Sequence, residues 1–472
     1  MSISNNKNLL SYLIPTAIFF AVIFIWKFNG LYGQDSHEYL GYSRSLSLFF
    51  SEGKNPNNFF WPVNYSLAGA ILSFLTINNI LSLQLISLGS FLFSIFYLKR
   101  ILSLDFDDAQ KKISFYVSVA FVLSPIMLVY SQVIMSDMLC LFFITAGFYH
   151  TIKFEKKIKY KDYLLAVMLI TAAVSTRYVS IVVLIFPAVS LIKVFVRNFQ
   201  IKTFIFSLLI AAIILLPEVI LKFNYRSDFL NNAWLKNWNP LNIIGASFNT
   251  PEGYFSYRFP NIIYAFENLF HPAFIFMGII LIPLIRKSDF GIYPVKQSIT
   301  IIILYVIFIA GIPFQNLRFL ILTFPFVIIV LYKPFLRLNS YLKHPIIKKL
   351  LVLSLAVIQL FLYGYMFNII HKQNKLEREI SDYLKGFPGR IIYTFSIDQA
   401  LRTYNVKNRI INLWRDKVTD YPDSSLVLFN QEKFTQQWEG KNPMINWNYF
   451  EKNYSSNKIK QFEDGWELYE IN

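Results

Sequence analysis

Residues 178–221, YVSIVVLIFPAVSLIKVFVRNFQIKTFIFSLLIAAIILLPEVIL, decide the architecture. Two apolar runs, 178–196 and 203–221, are joined by a connection marked by Lys193, Arg197 and Lys202. Each run is about 19 residues, enough for a helix to cross the ~30 Å of hydrocarbon in a bilayer. The same pattern recurs on both sides. Spans are expected at 9–28, 79–98, 113–131, 133–152, 162–176, 178–196, 203–221, 271–285, 297–312, 316–332 and 350–370, about eleven in all. A shorter apolar piece, Ser66 to Ile77, follows Trp61-Pro62 and reads as a re-entrant or interfacial helix.

Composition agrees with this reading. The chain of 472 residues is 55% hydrophobic and only 15% charged, against ~25% charged for soluble domains. The long apolar runs exclude an outer-membrane barrel, a coiled coil and a disordered scaffold. A single cysteine, Cys140, excludes an intramolecular disulfide and a Cys-based metal cluster. The first run, Leu9 to Phe28, lacks a small-residue cleavage site and reads as an uncleaved anchor.

The net charge of +17 is a matter of topology. Alternate loops hold Lys99, Arg100, Lys111 and Lys112, then Lys153, Lys156, Lys157, Lys159 and Lys161, and later Arg286, Lys287, Lys296, Lys333, Arg337, Lys343, Lys348 and Lys349. With the 193–202 connection, that side carries about twenty basic residues against about eight on the other. The positive-inside rule makes the Lys-rich side cytoplasmic. Loops 29–65 and 222–270 and everything after 370 then lie outside, and no nucleic-acid partner is implied. Residues 371–472 change composition and read as a small soluble α/β domain, with strands at 390–395, 409–413 and 425–429 and helices at 398–404 and 431–438.

Four charged segments are not explained by topology, and ionisable residues at span ends are functional candidates. They are Gly33-Gln34-Asp35-Ser36-His37-Glu38-Tyr39, Met135-Ser136-Asp137, Ser175-Thr176-Arg177-Tyr178 and Gln315-Asn316-Leu317-Arg318-Phe319. All four fall on the face opposite the Lys-rich loops, where one outward-facing cavity can collect them. Arginine binds phosphate oxygens with a planar fork and stays charged when desolvated. A carboxylate beside it can take a proton from an incoming hydroxyl. The set suits a phosphate-bearing lipid substrate.

Taken in order, these segments resemble the GT-C superfamily of polytopic glycosyltransferases, in the branch of protein O-mannosyltransferases and the lipid A aminoarabinose transferase. The G-x-D-S-x-x-Y-like setting is matched by Gly33 to Tyr39, and the Pro-aromatic opening of a short helix by Trp61-Pro62-Val63-Asn64-Tyr65. The acidic entry to the fourth span is Ser136-Asp137-Met138-Leu139, with Asp where many relatives carry Glu. Thr176-Arg177-Tyr178 and Leu317-Arg318-Phe319-Leu320 match the family's two Arg elements. The resemblance covers about residues 1–370 and implies a polyprenyl-phosphate sugar donor and inversion at the anomeric carbon. On it, Asp35 is the catalytic base, and Arg177 and Arg318 hold the lipid phosphate. Glu38, His37, Asp137, Tyr178, Tyr257 and Arg258 are substrate-binding or supporting candidates, Asp137 by orienting an Arg or binding a sugar hydroxyl.

The outer loop 222–270 also holds Trp234, Trp238, Tyr254 and Phe255, a set suited to a sugar face or to the membrane interface. No metal or cofactor is expected, the five His having no ligand spacing, although His37 beside Asp35 and Glu38 is a place for a divalent ion. The acceptor is an unspecified glycan, lipid or protein. The expected location is the bacterial cytoplasmic membrane, with the site and C-terminal domain outside. The competing reading is a secondary transporter or flippase of lipid-linked sugars, which predicts inverted repeats and charges at the midplane.

Overall fold

The computed structural model describes residues 3–56, 58–106, 110–225 and 236–472; Trp234 lies outside them. The chain is predominantly helical, with a small sheet domain at its C-terminal end. The helices are α1 Ile3–Phe24, α2 Gly33–Glu52, α3 Asn64–Thr76, α4 Asn79–Asp105, α5 Gln110–Val122, α6 Pro125–Tyr130, α7 Asp137–Lys157, α8 Tyr160–Val174, α9 Ser180–Arg197 and α10 Ile201–Tyr225. After the hairpin of β1 Ser247–Thr250 and β2 Gly253–Ser256 come α11 Asn261–Glu267, α12 Pro272–Leu281, α13 Tyr293–Ala310, α14 Phe324–Tyr341 and α15 Pro345–Leu384. Among the described residues, six helical stretches are long and apolar enough to cross a membrane by length and composition. The expected spans fall largely on helix, and the chain is an integral membrane protein.

Three spans differ from expectation in ways that matter for the site. The stretch 113–131 is broken: Ser124 is extended (φ −101°, ψ 105°) ahead of Pro125, because a residue before proline is pushed out of the α region. The next span begins at Asp137 rather than 133. Residues 131–136 form a buried, non-helical connection, whose backbone groups need partners in a place without water. Gln84 Nε2 donates to the Gln132 carbonyl at 3.2 Å, Ser87 Oγ to the Val133 carbonyl at 3.1 Å, and the Ile134 amide to the Gly30 carbonyl at 2.8 Å. The stretch expected as 316–332 opens as a 3₁₀ segment, Leu317–Thr323, before α14.

Short α3 folds back closely on α4. A Cβ on Gly69 would meet Leu83 Cδ2 at 2.4 Å, so glycine sets the approach of the two helices. The apolar core of the bundle includes Phe91, Phe121, Phe148, Phe274 and Phe324, all fully buried.

The 40 residues of α15 span about 60 Å at ~1.5 Å per residue, twice the hydrocarbon thickness. The helix runs unbroken through residue 370, and Leu376, Ile380 and Leu384 enter the core of the C-terminal domain. That domain adds β3 Ile392–Thr394, α16 Asp398–Thr403, β4 Ile410–Asn412, β5 Leu426–Phe429, α17 Gln431–Trp438, α18 Asn442–Asn453, β6 Ser456–Gln461 and β7 Glu467–Ile471. Strand order is β4-β3-β5-β7-β6. The first three are parallel, with Ile392 opposite Ile410 and Leu426, and β7 runs antiparallel to both neighbours. Strands β6 and β7 and helix α18 were not anticipated. Edge strand β6 is SNKIKQ with mostly exposed positions, so it lacks the apolar alternation that marks a strand in sequence.

Candidate active site

Four residues from four elements meet at the end of the bundle opposite the Lys-rich loops. Gly33, at φ +68°, turns the chain into α2 and sets Asp35 in its first turn, where the helix dipole favours a carboxylate. Asp137 opens α7. Arg177 lies in the turn between α8 and α9, its amide bonded to the Ala173 carbonyl at 3.0 Å. Arg318 follows Asn316, whose side chain caps the 3₁₀ segment by accepting from the Arg318 amide at 2.9 Å.

Asp137 is the centre of the group, with 1% exposure. Its Oδ1 accepts from Arg177 Nη1 at 2.6 Å, and its Oδ2 from Arg318 Nε at 3.0 Å and Nη2 at 2.9 Å. Arg318 then reaches Asp35 Oδ2 with Nη1 at 2.8 Å. Two carboxylates and two guanidinium groups form one neutral chain, Asp35–Arg318–Asp137–Arg177. It is graded in accessibility: the Asp35 side chain is 31% exposed and that of Asp137 1%. The Tyr130 ring lies under Arg318 at 5.8 Å, and Tyr39 Oη bonds Ser136 Oγ at 2.8 Å beside Asp137. The inner carboxylate fixes both arginines while Asp35 faces outward.

Glu38, one turn after Asp35, accepts from Trp61 Nε1 at 2.8 Å. Burial, reinforced by the charges of Asp35 and Asp398 against the Trp61 hydrogen bond and Arg415, pushes its carboxyl from 4.5 up to about 7. The folded chain therefore retains a proton that the unfolded chain releases in this interval, so stability falls as pH rises from 4.5 through about 7. Glu38→Gln is expected to gain on the wild type between pH 4.5 and pH 8, by up to about 3 kcal/mol. The check is thermal unfolding at both pH values; an equal difference at each would refute it.

The other expected residues are distributed as follows. His37 is 2% exposed and turned toward α15, where Nε2 meets Glu377 Oε2 at 2.9 Å. Tyr178 Oη donates to Glu218 Oε1. Tyr257 Oη accepts from the Gln315 amide at 2.9 Å, steadying the approach to Arg318. Arg258 is exposed over Phe259 at 5.4 Å and does not join the cluster. Among the described residues, no group of three or more His, Cys, Asp or Glu is placed to hold a metal ion.

Three acidic residues and a lysine were missed by the sequence reading. Glu218 and Lys222, on the outer part of α10, pair at 3.2 Å, and they grip the loop before α3: Glu218 accepts from the Val63 amide at 2.8 Å, and Lys222 donates to the Phe60 carbonyl at 3.0 Å. The available signal was the charged pair i, i+4 at the end of an apolar run. Lys222→Met leaves Glu218 without its cation and is expected to destabilise the protein by about 1–3 kcal/mol; an unchanged melting temperature in detergent would contradict this. Glu252 sits at the β1–β2 tip, which Gln437 and Trp414 of the C-terminal domain hold by bonds to the Glu252 and Pro251 carbonyls at 3.0 and 3.3 Å. Burial and the Asp35 charge push Glu252 up to about 7. The third is Glu377, the partner of His37.

Fold and site together describe a polytopic membrane protein with a charged cluster at one end of the bundle and a sheet domain seated over it. Among the solved structures it is similar to are two of ArnT from Cupriavidus metallidurans. The one bound to undecaprenyl phosphate superposes with a TM-score of 0.63 at 10% identity, over 97% of this chain and 97% of that chain. The apo structure gives 0.61 at 11% identity, over 96% and 97%. The likeness is one of fold. No family model and no curated protein matches the sequence.

Proposed function

We propose that the chain is a membrane glycosyltransferase that moves a sugar from a polyprenyl-phosphate donor to an acceptor at the outer face of the cytoplasmic membrane. The observation that carries this reading is Arg318, which bridges Asp35 at 2.8 Å and Asp137 at 2.9 Å. A lipid phosphate entering from the exposed side competes with the Asp35 carboxylate for Arg318, while Asp137 holds the guanidinium in place. Asp35 is thereby released to face the acceptor. Binding of the donor and exposure of the base become one event.

The chemistry then needs one base and a phosphate clamp. The acceptor oxygen or nitrogen attacks the anomeric carbon from the side opposite the phosphate, and the new bond forms as the carbon–phosphate-oxygen bond breaks. The proton of the acceptor passes to Asp35. The polyprenyl phosphate leaves with the bonding pair, and its charge is stabilised by Arg177 and Arg318, whose fixed geometry avoids reorganisation in the transition state. In-line displacement inverts the anomeric centre. The ArnT structure with undecaprenyl phosphate supports a lipid-phosphate ligand for this fold. The acceptor is left at the level of a hydroxyl- or amine-bearing glycan, lipid or protein.

The test is native mass spectrometry of the Asp35→Asn variant purified in detergent. It is expected to retain a lipid with the mass of a polyprenyl phosphate plus a sugar. Recovery of bulk phospholipid alone, with nothing gained on adding polyprenyl-phosphate sugars, would remove the donor assignment.

A further inference from the structure

The first turn of α2 has two working faces. One presents Asp35 to Arg318. The other, with the segment that leads into it, is held by the part of α15 that stands beyond the bundle and by α16, 340 or more residues further along the chain. Arg378 Nη2 donates to the Lys27 carbonyl at 2.9 Å, and Asn374 Nδ2 to Asn29 Oδ1 at 2.8 Å and the Leu31 carbonyl at 3.0 Å. Gln34 Nε2 donates to Asp398 Oδ1 at 3.1 Å, directly before Asp35. His37 meets Glu377 at 2.9 Å, directly after Ser36, with side-chain exposures of 1% and 6%.

We propose that Glu377, acting through His37, is a positioning residue for Asp35, and that the C-terminal domain is thereby part of the catalytic apparatus. This rests on the glycosyltransferase reading above. A base must sit within hydrogen-bond reach of the proton it takes, and a displacement near 1 Å can reduce rate about 100-fold. The segment 27–37 is an irregular approach plus one helical turn, which has little stiffness of its own. Besides the Ile134–Gly30 bond and the buried Phe28 and Leu31, polar groups of α15 and α16 are bonded to it. Asp398 holds Gln34, one residue before the base, and Glu377 holds His37, two residues after it on the same helix, in a contact whose side chains are 1% and 6% exposed. A mere anchor for the domain would not require the anchor point to be the catalytic turn.

The experiment uses the full chain in lipid nanodiscs, with three readouts. These are turnover of the lipid-linked sugar extracted from the Asp35→Asn variant, binding of undecaprenyl phosphate, and amide exchange over residues 27–38. Glu377→Ala is expected to lower turnover about 10- to 100-fold, keep undecaprenyl phosphate binding within about twofold, and speed exchange in 27–38 alone. Glu377→Gln, which still bonds His37, is expected to restore turnover to within about threefold of wild type. Wild-type turnover or unchanged exchange in Glu377→Ala would overturn the proposal. So would equal losses of turnover and of undecaprenyl phosphate binding, or Gln and Ala variants that are equally poor. If Glu377→Ala does not fold, Gln34→Ala decides: reduced turnover with binding kept supports the proposal, and unchanged turnover overturns it. A wild type that neither binds undecaprenyl phosphate nor turns over any lipid-linked sugar defeats the function, whereas the exchange response of 27–38 still reads the coupling to Glu377.

Discussion

Asp35→Asn is expected to lower sugar transfer by about 100- to 10,000-fold, the range spanned by a positioned general base. The protein should remain folded and charged with donor. Asparagine is isosteric and keeps an oxygen for Arg318 Nη1, which bonds Asp35 Oδ2 at 2.8 Å. What it removes is the capacity to accept a proton. The loss should fall on turnover with donor affinity preserved, since a group used in the transition state but not in ground-state binding lowers the rate and kcat/KM together. Removing one negative charge from the neighbourhood of the phosphate should tighten donor retention slightly. Rates of polyprenyl phosphate release in nanodiscs, set beside donor retention by native mass spectrometry, give both numbers. A variant that transfers sugar within threefold of wild type would sink Asp35 as the base.

Asp137→Ala is expected to have the largest effect on the fold. Its carboxylate compensates two guanidinium groups, with Arg177 at 2.6 Å and Arg318 at 2.9 Å, at a position 1% exposed. Removing one partner of a buried ion pair costs about 3–5 kcal/mol, because the remaining charge stays desolvated. Here two charges of the same sign are left facing one another. The outer of the two keeps Asp35, so Arg318 should swing toward it, and the phosphate clamp should open. Thermal unfolding in detergent should show a marked fall in melting temperature, together with loss of undecaprenyl phosphate binding. Asp137→Asn, with one acceptor left, should lie between. If Asp137→Ala melts with the wild type, the carboxylate is not the element that holds the arginines.

These two carboxylates differ in depth, Asp35 with a side chain 31% exposed and Asp137 with one 1% exposed. In sequence Asp35 and Asp137 each follow a polar residue at the margin of an apolar run, Asp35 with Glu38 three residues on. The structure separates them by burial. Asp137 is sealed below both arginines and can act only on them, while Asp35 reaches solvent and can meet a substrate. Glu38 and Glu252, each pushed up to about 7, add proton-holding groups around Asp35. Their positions come from Trp61 on one side and from the hairpin tip on the other.

The resemblance and the apolar pattern made the GT-C fold legible, down to the short helix after Trp61-Pro62 and three of the five strands of the C-terminal sheet. Spans are readable because hydrocarbon leaves a chain few options: backbone groups must be satisfied within a helix, and about 20 apolar residues must be consecutive. The same rule picked out Asp35, Asp137, Arg177 and Arg318, since charges at span ends carry a high desolvation cost and stand out. The departures are equally physical. Residues 131–136, expected as the end of one span and the start of the next, run as irregular chain, where Gln84 and Ser87 on α4 supply hydrogen bonds that a helix would otherwise provide.

What the sequence determined by itself is therefore the set of elements and the inventory of charges at one end of the bundle. Which charge meets which was decided by tertiary structure alone. Arg318 finds Asp35 and Asp137 across 283 and 181 residues, and His37, two residues from Asp35 in sequence, belongs to Glu377 across 340. Hydrophobic periodicity specifies which side of a helix is buried. Ion pairing depends on rotations and depths of several helices at once, and these are fixed only when the helices pack.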